Sequence, residues 1–173
     1  MGPTPGIAND VKTSGVSIWE TETEGRDLVV DQVDVAEEDA PPDHIRLLLG
    51  LPDGAATVVR NRRYVLDGKP VLLSRSWLPA PIASGTPIAQ LDPGPGGIYA
   101  RLAEVGHAPA RFREDLRSRM PRPEETERLA IASGTPVVDI CRIALDADET
   151  PVEVNEMTAD SSAYVFRYEF DRS

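Results

Sequence analysis

The stretch Thr57-Val58-Val59-Arg60-Asn61-Arg62-Arg63-Tyr64-Val65-Leu66-Asp67-Gly68-Lys69-Pro70-Val71-Leu72-Leu73-Ser74-Arg75-Ser76-Trp77-Leu78-Pro79 decides the fold. Two runs rich in β-branched and aromatic residues flank the turn dipeptide Asp67-Gly68, the pattern of an antiparallel hairpin. It predicts strands over 57–66 and 70–78, the second stopped by Pro79 and Pro81.

Working outward, 16–19 and 31–35 read as short strands. A short helix over 42–49 follows, with proline near its start and Gly50 just after its end. Downstream, Gly94-Pro95-Gly96-Gly97-Ile98-Tyr99-Ala100-Arg101-Leu102 sets a glycine-rich turn before an amphipathic helix. That helix runs 97–105 with Ile98, Leu102 and Val105 on one face, ended by Gly106. Helix starts carry unpaired backbone N–H groups, so such a turn can hold an anionic or polar ligand.

Residues 111–120 read as a strand. A helix starting at Pro123 carries Leu129 and Ile131, before Gly134. Strands over 136–145 and 151–159 flank a turn at 146–150, and Tyr164, Phe166, Tyr168 and Phe170 alternate as in a strand. Strands joined by hairpins and interrupted by helices predict an α+β domain on a mainly antiparallel sheet. Residues 1–15, small, polar and Pro/Gly-bearing, are read as a flexible lead or linker, with 16–173 as one domain.

Composition narrows the function. The 173 residues carry 18 Lys+Arg against 29 Asp+Glu, a net charge of -11, with 40% hydrophobic residues. Phosphate-backbone binding needs a basic surface, so this balance argues against direct contact with nucleic acid. The single cysteine, Cys141, sits in the apolar run Val137-Val138-Asp139-Ile140-Cys141 and reads as a small core hydrophobe rather than a reactive thiol. His44 and His107, far apart and without a cysteine partner, give no metal-ligand spacing, so neither metal nor cofactor is expected. With no membrane-length apolar run and no signal-peptide core at the N-terminus, the expectation is a cytoplasmic protein.

Several pairs share a strand face. Arg60 and Arg62, two apart, point the same way and could fork onto a carboxylate or phosphate; by spacing alone a solvated edge strand with surface pairing suits them somewhat better. Arg63 points to the other face. Ser74 and Ser76 share a parity that could line a polar pocket, and so do Glu153 and Asn155. Glu114 could join them from the strand before Met120. Trp77 is expected in the core. No nucleophile has an adjacent base, and neither a Walker loop nor a dinucleotide fingerprint is present.

The segments RNRRYVLDGKPVLLSRSWLP, GPGGIYARLAEVGH, EDLRSRMPRPEETERLAI and GTPVVDICRIALDADETPVEVNEM, in this order and before a Tyr/Phe-rich last strand, resemble the UTRA domain. This is the effector-binding domain of HutC-type members of the GntR family of bacterial transcriptional regulators. The resemblance covers 16–170. It implies a chorismate lyase-like fold, a homodimer, and a winged helix-turn-helix domain ahead of this one that contacts operator DNA. By position it places ligand-binding roles on Arg60, Arg62, Ser74, Gly97, Tyr99 and Glu153. Three departures stand out: Ser74 where many relatives carry an acidic residue, Gly97 where a serine often opens the helix, and Asp160-Ser161-Ser162-Ala163-Tyr164 for the usual Asp-Arg-Tyr run. The effector is therefore read as a small polar or anionic metabolite rather than a sugar phosphate in particular. The expectation is a sensing and dimerisation domain with no catalytic activity. A chorismate lyase-like enzyme and a ligand-free dimerisation module are the alternatives.

Overall fold

In a computed structural model, which describes residues 6–7, 25–163 and 165–166, the hairpin forms as the sequence predicts. Strand β3 (Thr57–Leu66) pairs antiparallel with β4 (Lys69–Pro79) through a tight turn. Asp67 (φ 50) and Gly68 (φ 79) both take left-handed backbone, which matches the twist of the strands they join. The Asp67 carboxylate accepts bonds from Arg26 Nε at 2.8 Å and the Asp27 amide at 3.0 Å, holding the turn to the chain that enters the sheet.

Around the hairpin the remaining strands complete a six-stranded antiparallel sheet in the order β2-β3-β4-β7-β6-β5. The others are β2 (Leu28–Glu38), β5 (Arg111–Arg119), β6 (Val137–Leu145) and β7 (Pro151–Asp160). Strand β2 is longer than the expected 31–35. A register shift between Asp31 and Asp34, with Gln32 at φ 47, breaks its alternation and hides the full length in the sequence. A separate parallel pair joins β1 (Gly6–Ile7) to β8 (Val165–Phe166). The expected strand over 16–19 and most of the aromatic run 164–170 lie outside the described residues.

Short helices cover both faces. On one, α1 (Asp43–Leu48) brings Ile45, with Leu49 just after it, against Val59, Trp77, Ile143 and Val154. There too α4 (Pro123–Leu129) brings Leu129, with Ile131, against Leu73 and Val137. On the other face lie α2 (Ala80–Ala83), a 3-10 turn over Pro87–Ala89, and α3 (Gly97–Glu104). Ile98 and Leu102 of α3 pack with Val58, Leu78, Ile88 and Ala144. Val105, expected on the same stripe, follows the helix end and stays exposed. Cys141 is half-buried beside the α1 cluster rather than enclosed. Burial, with the Glu156 and Asp115 carboxylates, pushes its thiol pKa up and keeps it protonated.

Candidate functional site

Antiparallel partners that face each other across a ladder project to the same side of the sheet. Arg60 faces Ser76, Ser76 faces Asn155, Asn155 faces Arg142 and Arg142 faces Glu114. One polar row therefore crosses five strands on the α3 side. Beside it Arg62 faces Ser74, and Ser74 faces Met157. On the row's other flank Glu153 faces Ala144, which faces Phe112. Apolar clusters close the row at both ends of the strands. Val58, Leu78, Ile98, Leu102 and Ala144 stand on one side; Tyr64, Leu72, Ile140, Met157 and Ala159 stand on the other.

The members of the row are not equivalent. Arg60 is only 1% exposed, and its guanidinium ties down the loop that leads to α3. Nη1 donates to the Ile88 and Gln90 carbonyls, and Nη2 donates to the Leu91 carbonyl at 3.1 Å. Burial and the neighbouring Arg62 charge pull its pKa down to about 10, which leaves it a cation at neutral pH. Its Nε finds no acceptor.

Arg62 donates from Nη2 to Ser76 Oγ at 3.2 Å and lies over the Tyr64 ring, 5.8 Å from its centroid; its Nε also lacks an acceptor. Ser74 Oγ donates to Asn155 Oδ1 at 2.9 Å. Arg142 donates to Glu114 at 2.6 Å and sits 5.7 Å from the Phe112 ring centre. Burial works against its charge, but the Tyr99 hydroxyl and the Glu114 carboxylate outweigh it and hold its pKa up.

Glu153 is 1% exposed, and its carboxyl oxygens have no hydrogen-bond partner apart from the Tyr99 hydroxyl beside them. A buried carboxyl left so is costly, which makes the position unusual for a purely structural group. Tyr99, in the first turn of α3, stacks on Phe112 with ring centres 5.5 Å apart. Its hydroxyl lies among Glu153 and Arg142. Burial first, and the Glu153 carboxylate second, push the phenol pKa well above its ordinary value of 10.0, so the hydroxyl keeps its proton.

Gly96 (φ 79) and Gly97 (φ 63) make the turn into α3 in left-handed backbone, where a β-carbon would be strained. A β-carbon on Gly97 would meet nothing within 4 Å, so conformation and not crowding selects glycine there. The Gly97 amide turns back to the Gly94 carbonyl at 3.1 Å and is in use.

Sequence reasoning grouped Arg60 with Arg62, Ser74 with Ser76 and Glu153 with Asn155; the structure brings all six to one face and adds Glu114 and Tyr99. It missed Arg142. The available signal was an arginine inside the otherwise apolar run 140–145, at the parity of Ile140 and Ala144. Arg63, as expected, leaves on the opposite face and pairs with Asp31 at 2.7 Å. Among the described residues no cluster of His, Cys, Asp or Glu could hold a metal ion.

The UTRA domain model matches residues 23–165. The chain belongs to the UTRA domain family. As a UTRA domain it has relatives among transcriptional regulators. It is 30% identical over 125 residues to an uncharacterized HTH-type transcriptional regulator of Streptomyces coelicolor, covering 70% of this chain and 46% of that protein. It is 26% identical to the HTH-type transcriptional regulator GgaR of Escherichia coli K12, covering 72% and 48%. The chain thus spans about half the length of these curated relatives.

Among solved structures, it is similar to the effector domain of PhnF from Mycobacterium smegmatis, with a TM-score of 0.79 and 19% identity over 92% of this chain and 97% of that one. It is also similar to the C-terminal domain of the histidine utilization repressor from Pseudomonas syringae, with a TM-score of 0.69 and 15% identity over 84% and 100%. At such identities the likeness is one of fold: the α+β, chorismate lyase-like sheet of GntR-family effector domains. No helix among the described residues is long and apolar enough to cross a membrane.

Proposed function

We propose that this UTRA domain is the small-molecule-sensing and dimerising part of a cytoplasmic GntR/HutC-type transcriptional regulator, without catalytic activity. The polar row enclosed between two apolar clusters carries this reading, because buried hydrogen-bonding groups without partners are what a ligand would complete. Arg60 Nε and Arg62 Nε are such groups, and the buried Glu153 carboxyl has only the Tyr99 hydroxyl beside it. The site offers hydrogen bonds of both signs from five strands and one helix. No residue in it forms a nucleophile–base pair, so its groups suit holding a molecule more than converting one.

In this reading Arg62, Ser76, Tyr99, Glu153 and Asn155 hold the ligand, while Arg60 and Arg142 set the frame. The N-terminal stretch, in which Gly6–Ile7 pair with Val165–Phe166, would carry a DNA-binding domain ahead of it, consistent with relatives about twice this length. The acidic sensor would make no phosphate contact itself. Binding would shift an equilibrium between two dimer arrangements by no more than its difference in affinity for them, and so change the spacing of the DNA-binding heads.

The test is a thermal-shift screen of the domain against small organic acids, amino acids and sugar derivatives, since a ligand that binds only the folded state raises its melting midpoint. Arg62→Ala is expected to weaken a confirmed ligand at least tenfold, or roughly 1.5–3 kcal/mol for a hydrogen bond to a charged group. Unchanged melting across the screen would leave dimerisation as the domain's function.

A further inference from the structure

Helix α3 carries Tyr99 to the row, and apolar packing alone does not fix how it is set there. Ile98 and Leu102 bury one face of it, and its start has no side-chain cap. Burial of that kind is non-directional, so it holds a short helix down without fixing its slide or rotation. Arg101 turns back on the same segment, to the Pro95 carbonyl at 3.4 Å and to Glu104 at 2.7 Å. Among the described residues, and Tyr99 apart, the side-chain tie from this segment to the sheet lies just past the helix end, at His107.

The helix closes through two backbone bonds. The Gly106 amide, at φ 85, meets the Ala103 carbonyl at 3.1 Å, and the His107 amide meets the Leu102 carbonyl at 2.8 Å. His107 is thereby fixed to the turn that holds the fully buried Leu102. Its ring Nδ1 lies 2.9 Å from Asp146 Oδ2. This bond is first among the causes that hold the Asp146 carboxyl below the ordinary aspartate range, so the carboxylate accepts and Nδ1 donates. Asp146 is itself anchored, because its Oδ1 accepts the Asp148 and Thr150 amides, each at 3.0 Å. The turn it braces joins β6, which carries Arg142, to β7, which carries Glu153, and both groups bond the Tyr99 hydroxyl.

Resting on the sensing reading above, we propose that His107 is a positioning residue of the site: bonded to Asp146, it sets α3 in register with the β6–β7 hairpin and keeps the Tyr99 hydroxyl between Glu153 and Arg142. A hydrogen bond is short and directional, so one at the far end of an eight-residue helix limits both its slide and its turn. Neither His107 nor Asp146 belongs to the row, and the pair acts on it through Tyr99.

Fluorine NMR of the domain labelled with 3-fluorotyrosine tests this. The Tyr99 line is assigned through Tyr99→Phe, and Tyr64, in the apolar cluster at the other end of the strands, serves as internal control. Two replacements are compared: His107→Leu removes the donor, and His107→Asn offers a side-chain amide in a similar place. The His107 ring is 35% exposed, so both are expected to fold, and the melting midpoint of each is recorded. In His107→Leu the Tyr99 line is expected to shift or broaden, and the α3 amides to exchange with deuterium about fivefold faster or more, with the Tyr64 line and the β3–β4 amides unchanged. His107→Asn is expected to restore the wild-type line and protection.

An unmoved Tyr99 line in His107→Leu, changes shared by Tyr64 and the sheet, or no recovery in His107→Asn would overturn the proposal and leave the sensing reading standing. A flat ligand screen would instead remove that reading, and with it the ligand role of the pair, even where these lines show that the pair holds α3.

Discussion

A buried arginine is tolerated where its N–H groups find acceptors, and Arg60 finds three in one loop. The same bonds satisfy carbonyls of a segment without regular partners, so side chain and loop stabilise each other. Replacing Arg60 by methionine keeps much of the volume but leaves those carbonyls unpaired. A loss of about 2–4 kcal/mol is expected in urea unfolding. An unchanged midpoint would mean that the loop holds its path without the guanidinium. Glu153 is the opposite case: it is buried, and the donor beside it is the Tyr99 hydroxyl alone, with no cation bonded to its oxygens.

At the level of elements, α3 and α4 show how short helices hold their places. Only seven residues long, α4 lacks the length to be stable alone. Its start is fixed by Glu125, whose carboxylate accepts from the Arg122 amide at 2.8 Å and from Arg119, which also grips Asp139 across the β5–β6 ladder. Its end turns through Ala130 in left-handed backbone at φ 50. Ala130→Gly is therefore expected to stabilise the domain by about 0.5–1 kcal/mol, measured as a raised melting midpoint. Helix α3 depends instead on packing. Leu102→Ala empties a fully buried site and is expected to cost about 2–5 kcal/mol. Because the same helix carries Tyr99 over the row, ligand affinity should fall in that variant by more than in Ala130→Gly.

For the molecule as a whole, acid sensitivity follows from its paired carboxylates. Hydrogen bonds and ion pairs hold Asp31 and Asp146 below the ordinary aspartate value of 3.8, and at Asp160 the Lys69 and Ser162 bonds together outweigh a burial that by itself would raise it. At Glu125 burial alone would raise the pKa, but the Arg119 and Arg122 bonds outweigh it and bring it below the ordinary 4.5. Between the folded and unfolded values the unfolded chain binds more protons, so these groups stabilise the fold fully above about pH 5 and lose that contribution as pH falls. Urea midpoints should therefore be flat from pH 7 to about 5 and drop steadily below about 4.5. A midpoint that held down to pH 3 would show that the pairs do not differ between the two states. The net charge of -11 adds self-repulsion at neutral pH, and salt should ease it modestly.

Local chemistry sufficed for much of this. The Asp67-Gly68 turn, the period-two strands around it, the short helices bounded by proline and glycine and the shared faces of Arg60 with Arg62, Ser74 with Ser76 and Glu153 with Asn155 all follow from spacing of a few residues, because side-chain direction is set by the backbone period. Strand β2 was underestimated because a bulge breaks that period. The order β2-β3-β4-β7-β6-β5 decided what spacing could not. It set β7 beside β4, eighty residues away in the chain, and so aligned Arg60, Ser76, Asn155, Arg142 and Glu114 into one row. Tertiary structure also committed the Arg60 guanidinium to backbone carbonyls and set the Tyr99 hydroxyl beside the buried Glu153 carboxyl, since hydrogen-bond partners are a property of neighbours in space.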